Sequence, residues 1–123
     1  MSKLLTPLEL KVMNILWKVK KGFVKDLLER WQDEPKPAYN TVSTTVRILE
    51  DKGYINHKAF GRTYEYFPIV SKADYQKRLL GNVIENAFGG SVKSLVSALV
   101  HTDKVADVDL DDLQDLIDKS NLD

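Results

Sequence analysis

Pro37-Ala38-Tyr39-Asn40-Thr41-Val42-Ser43-Thr44-Thr45-Val46-Arg47-Ile48-Leu49-Glu50-Asp51-Lys52-Gly53 runs directly into Tyr54-Ile55-Asn56-His57-Lys58-Ala59-Phe60-Gly61-Arg62-Thr63-Tyr64-Glu65-Tyr66-Phe67-Pro68. The first segment reads as a helix starting near Pro37 or Ala38. At about 100° per residue, Ala38, Val42, Val46 and Leu49 form one apolar stripe. The opposite face carries Asn40, Ser43, Thr44, Arg47 and Asp51. Thr41, Ser43, Thr44, Thr45 and Val46 are poor intrinsic helix formers, so this helix must gain from tertiary packing or need short polar side chains outward. Gly53 stops it, as a left-handed residue after the C-cap does. The second segment reads as two strands rich in Tyr, Phe, Ile and Thr, joined at Gly61-Arg62 and ended by Pro68.

A helix with a small polar outer face, leading into a hairpin with a basic tip, is the pattern of a winged helix that reads DNA. The helix fits a major groove and the hairpin tip reaches flanking phosphates. On this reading Asn40, Ser43, Thr44 and Arg47 are the base-reading candidates. Asn pairs with adenine, Arg with guanine or phosphate, and hydroxyls with either base edges or phosphates. The backbone-contacting candidates are Lys36, Tyr39, Thr41 and Lys52 around the helix, and Lys58 and Arg62 on the hairpin. A merely solvated face more often carries Glu and Lys, the better helix formers. Arg62 alone is weak, since many proteins have one Arg and one Gly at a hairpin tip.

Upstream, Thr6-Pro7-Leu8-Glu9 starts a helix: Thr6 as N-cap, Pro7 at the first position, Glu9 completing a capping box. Leu10, Met13, Leu16 and Trp17 give its apolar face, and Lys20-Lys21-Gly22 ends it near Val19. A second helix places Val24, Leu27, Leu28 and Trp31 on one face, before the loop Asp33-Glu34-Pro35-Lys36-Pro37. Downstream, Ser71 caps a long helix, Gly89-Gly90 breaks it, Ser91 caps another, and Asp109 caps a last one with Leu110, Leu113, Leu116 and Ile117. The expected class is therefore mainly α with a small β-hairpin. Residues 1–70 form a winged helix-turn-helix DNA-binding domain, and 71–123 a three-helix dimerisation domain. The later helices are too few and small to bury their apolar faces on each other, so a second copy is the expected cover. The faces concerned hold Leu79, Leu80, Val83, Ile84, Phe88, Val92, Leu95, Val96, Leu99, Leu113 and Ile117.

Bulk properties narrow the function classes. The 123 residues are 43% hydrophobic and 29% charged, ordinary for a globular protein. No apolar run approaches a membrane span, the N-terminus lacks a signal-peptide pattern, and there is no cysteine. A cytoplasmic protein without membrane contact is the expectation. Net charge is zero, but residues 1–70 hold 12 basic and 8 acidic side chains, whereas 71–123 hold 6 and 10. A basic front can attract phosphate while an acidic tail faces away, because the field decays over about 10 Å at 0.1 M salt. His57 and His101 are the only histidines and lie far apart in sequence, so no metal site is expected. Asp107, Asp109 and Asp111 lack the glycine and closing Glu of a calcium loop. No nucleophile, acid/base pair or phosphate-cradling loop emerges, so neither a cofactor nor an enzyme is expected. A winged-helix module binding protein or RNA remains the alternative.

These segments resemble the penicillinase and methicillin-resistance repressors of the BlaI/MecI type. The likeness lies in Ala38 to Ile55, in Leu8-Glu9-Leu10-Lys11-Val12-Met13-Asn14-Ile15-Leu16-Trp17, in the turn from Gly61 to Pro68, and in Gly89-Gly90-Ser91-Val92-Lys93-Ser94-Leu95-Val96. The resemblance implies a homodimeric repressor that binds a palindromic double-stranded operator. It also implies a regulatory protease that relieves repression by cutting the C-terminal half. Where the best-known members have an Asn-Phe cleavage pair, this chain has Ala98-Leu99. Copper-responsive relatives carry a cysteine-rich tail; this chain has no cysteine, so copper sensing is not expected.

Overall fold

The computed structural model describes residues 4–102 and Asp115. The elements are α1 (Pro7–Val19), α2 (Val24–Glu29), α3 (Tyr39–Asp51), β1 (Ile55–Phe60), β2 (Thr63–Pro68), α4 (Lys72–Ala87) and α5 (Val92–Val100). The chain divides into two compact units, Met1–Leu79 and Leu80–Asp123.

In the first unit, α1 begins with the expected capping box. Thr6 Oγ1 accepts from Glu9 N–H at 3.3 Å and Glu9 Oε1 accepts from Thr6 N–H at 3.0 Å. Lys20, at φ 80°, ends the helix in a left-handed conformation and donates its N–H to Leu16 O. The next residue but one, Gly22, does more than stop a helix. It pairs with Tyr66 of β2, N–H to O in both directions at 2.9 and 2.8 Å. The hairpin is thereby tied to the α1–α2 connection.

The core joins α1 (Val12, Met13, Leu16), α2 (Val24, Leu27) and α3 (Val42, Val46, Leu49), closed by Tyr54, Ile55 and Tyr66. Two expectations need correction. Ala38 is exposed: with ψ 153° it is the extended N-cap of α3, outside the helix that starts at Tyr39. Its place in the stripe is taken by Thr45, which is buried with its hydroxyl donating to Thr41 O at 2.7 Å. The second helix stops at Glu29, so buried Trp31 packs from the following turn rather than from a helical face.

The hairpin is antiparallel, with His57 opposite Tyr66 and Phe60 opposite Thr63. Gly53 at φ 84° and Gly61 at φ 64° make the two turns that need a left-handed residue. Ser71 Oγ accepts from Asp74 N–H to cap α4, whose Tyr75 lies in the first unit's core beside the Trp17 and Tyr54 rings.

In the second unit, Gly89 and Gly90 (φ 58° and 82°) separate the end of α4 from α5, and Ser91 Oγ caps α5 by accepting from Ser94 N–H. No residue of α5 is buried, and Leu80 is 50% exposed. The expected last helix, with Leu113 and Ile117, lies outside the described residues. Among the described residues no helix is long and apolar enough to cross a membrane.

Candidate nucleic-acid interface

The packing just described decides which face of α3 is free. Val42, Thr45, Val46 and Leu49 turn inward, so Asn40, Thr41, Thr44 and Arg47 are exposed and Ser43 is half-buried. Because Gly22 holds Tyr66, the hairpin stands beside this helix. The two enclose a cleft of about 620 Å³. Tyr39, Asn40, Ser43 and Arg47 line it from α3, and Arg62, Thr63, Tyr64 and Tyr66 line it from the wing. The start of α2 adds Phe23, Val24 and Lys25.

Three cations, Lys25, Arg47 and Arg62, thus come from three elements onto one concavity rich in hydroxyls. Such a surface suits a polyanion with hydrogen-bonding edges. Burial pushes the Tyr66 phenol above its usual value of 10.0, Glu50's charge adds to this, and Arg47 opposes it. Its hydroxyl therefore stays neutral at ordinary pH, able both to donate and to accept. At the foot of the wing, His57 Nδ1 lies 2.6 Å from Glu50 Oε1, and its ring stacks on Tyr64 at 4.1 Å.

Of the expected contact residues, Tyr39, Asn40, Ser43, Arg47 and Arg62 line the cleft. Thr41 and Thr44 are exposed on α3 beyond it, and Lys36 is exposed in the preceding loop. Lys58 lies apart, on the face of β1 away from His57. It is opposite Glu65, with Nζ 5.3 Å from the Phe60 ring centroid. Lys52 is a correction. Its Nζ is drawn inward to Glu9 Oε1 at 2.6 Å and Leu4 O at 3.3 Å, leaving the side chain 18% exposed. It is a structural ion pair tying α3's end to α1's start, not a hand held out to a phosphate. Glu9 is buried, which raises its pKa, but the Lys52 ammonium and the Thr6 hydrogen bonds outweigh this and hold it below 4.5.

Sequence reading missed Phe23, Lys25 and Thr63. Lys25 follows a buried valine on a six-residue helix, and nothing local distinguishes it from a solvated lysine. Thr63 was legible only as the residue after the turn.

A family model described as penicillinase repressor matches residues 5–119. The chain belongs to the penicillinase repressor family. It is similar to the methicillin resistance regulatory protein MecI of Staphylococcus aureus (strain N315), with 25% identity over 90% of each chain. It is also similar to the penicillinase repressor of Bacillus licheniformis, with 22% identity over 90% of this chain and 87% of that one. Among solved structures, the solution structure of the DNA binding domain of the repressor BlaI matches with TM-score 0.52 and 27% identity. That likeness covers 61% of this chain and 94% of the other. The fold is that of this family's winged helix, mostly helical with one antiparallel hairpin.

Proposed function

We propose that this penicillinase repressor family member is a homodimeric transcriptional repressor that binds a palindromic duplex operator through α3 and the wing. The observation that carries the reading is the cleft in which Asn40, Ser43 and Arg47 on the free face of α3 meet Arg62 of the wing. In this reading Asn40, Ser43, Thr44 and Arg47 address base edges in the major groove. Lys36, Tyr39, Thr41, Lys58 and Arg62, joined by Lys25, hold the phosphates on either side. Bound protein blocks transcription by occupying the site.

The dimer rests on the apolar residues that α4 and α5 leave unburied: Leu79, Leu80 and Val92 are exposed, and Val83, Ile84, Phe88, Leu95, Val96 and Leu99 half-buried. A second copy removes them from water and presents two reading helices to two half-sites. Separating the copies lowers affinity, so a regulatory protease acting in the C-terminal half is a physically sound release. Ala98-Leu99 lies inside α5, where Ala98 O accepts from His101 N–H and Leu99 O from Thr102 N–H. A cut there needs that turn to open first.

Selection of duplexes from a random pool tests the function. A repressor of this kind enriches a sequence with two-fold symmetry, and its log affinity falls steeply with log salt as phosphates release counterions. Failure to enrich any duplex, with binding to RNA or to a protein instead, sinks the proposal and favours an interaction module.

A further inference from the structure

We infer that His57 is a positioning residue for the wing: clasped to Glu50 and stacked on Tyr64, it sets Arg62 in place across the cleft from Arg47. The inference rests on the reading of the cleft as the duplex-binding face. A lone two-stranded hairpin is marginally stable and free to swing about its base. Here the base is held by the Gly22–Tyr66 bridge. His57 faces Tyr66 across the ladder, and the turn at Gly61 lies four residues further on, roughly 13 Å at strand spacing. A small rotation at His57 is therefore magnified at Arg62.

The clasp has three parts. Nδ1 faces the Glu50 carboxylate at 2.6 Å, a charge-assisted hydrogen bond to the last turn of α3. The imidazole lies nearly parallel to the Tyr64 ring, 13° apart at 4.1 Å, and tilted on Tyr66 at 5.9 Å. Tyr64 and Tyr66 both line the cleft, whereas His57 and Glu50 do not. The side chains of His57 and Glu50 are only 27% and 34% exposed, so the bond is partly shielded from water. His57 thus stands behind the binding surface, connecting the reading helix with the wing that shares its ligand.

A double-mutant cycle on the full chain tests this, using the duplex recovered by selection. His57→Ala should weaken binding about fivefold to tenfold and flatten the salt dependence by about one phosphate contact, as Arg62→Ala should. In an Arg62→Ala background, His57→Ala should cost less than twofold, because the group it places is gone. Glu50→Gln, which keeps an acceptor for Nδ1, should retain most of the affinity, and Glu50→Ala should match His57→Ala. Equal costs of His57→Ala with and without Arg62 would overturn the assignment. A second readout needs no DNA. Backbone amide relaxation should show Gly61 to Thr63 gaining fast motion in His57→Ala and Glu50→Ala while α1 to α3 stay rigid. Unchanged tip motion in both variants overturns the clasp whether or not any duplex binds, whereas tip motion that rises in a protein binding no duplex removes only the functional reading beneath it.

Discussion

Two helices of this chain carry the same kind of apolar stripe and end in different circumstances. α3 is rich in Thr and Ser and has Val42, Val46 and Leu49 fully buried, with Thr45 beside them. α5, Val92-Lys93-Ser94-Leu95-Val96-Ser97-Ala98-Leu99-Val100, is the more apolar of the two, yet none of its residues is buried. Apolar content states that a helix needs cover. What supplies the cover depends on which elements the chain brings alongside. For α3 these are α1, α2 and the base of the hairpin, and their packing is what frees its polar face. For α5 the proposal above supplies a second copy.

The sharpest way to break this comparison is to remove residues after Leu79, keeping Tyr75 with the core it packs against. Sedimentation should change from twice 14.0 kDa for the whole chain to a monomer for the fragment. Affinity for a duplex with two half-sites should fall by about 10²- to 10⁴-fold as the linkage between reading heads is lost. A fragment that binds as tightly as the whole chain contradicts the dimer.

Next in size is a pair of leucine substitutions. Leu49→Ala opens a cavity under α3 and should cost roughly 2–5 kcal/mol in urea unfolding. Leu95→Asp should leave the unfolding of the first unit unaltered while shifting the sedimentation equilibrium toward monomer. Equal losses of first-unit stability from both would erase the distinction between a covered and an uncovered stripe.

Within the cleft, Arg47→Ala should cost roughly 1–3 kcal/mol of binding and relax base preference at one position of the selected site. Arg62→Ala should weaken binding to all sequences alike and reduce the salt slope by about one. If Arg47→Ala lowers every duplex equally, it grips phosphate and the base reading lies with Asn40, Ser43 and Thr44.

The smallest effect expected is on the acid side. Glu9 is held below 4.5 in the fold, so its ionised form contributes stability that is present above that value. The contribution is lost as pH falls through the lowered folded value. Glu9→Gln should flatten that part of the pH–stability curve and free the Lys52 ammonium. An unchanged curve would mean that the pair contributes nothing beyond its neutral hydrogen bonds.

Much of the fold was legible residue by residue. Thr6-Pro7-Leu8-Glu9 formed its capping box, Ser71 and Ser91 capped their helices, and Gly53 and Gly61 took left-handed backbone where turns were expected. The free face of α3 was legible too, because one stripe of valines and leucine sets the opposite side by geometry. Illegible were the partners of individual charges. Lys52 looked like any lysine at a helix end, and only the approach of Glu9, 43 residues earlier, turned it inward. Lys58 was grouped with Arg62 on the hairpin, but only the strand register showed that it stands opposite Glu65 and outside the cleft.

What the amino-acid order settled by itself, among the described residues, is which segments are helix or strand and where the capped helix starts and glycine turns fall. Caps, proline restrictions and left-handed glycines act within four or five residues, and so does the periodicity that gives each helix a buried side. Tertiary structure alone decided the bridge from Gly22 to Tyr66, the Glu9–Lys52 pair and the His57–Glu50 clasp. These depend on how packed elements lie against one another. A charged or aromatic side chain is read by whatever it meets, and that meeting is set by the shape of the core beneath it.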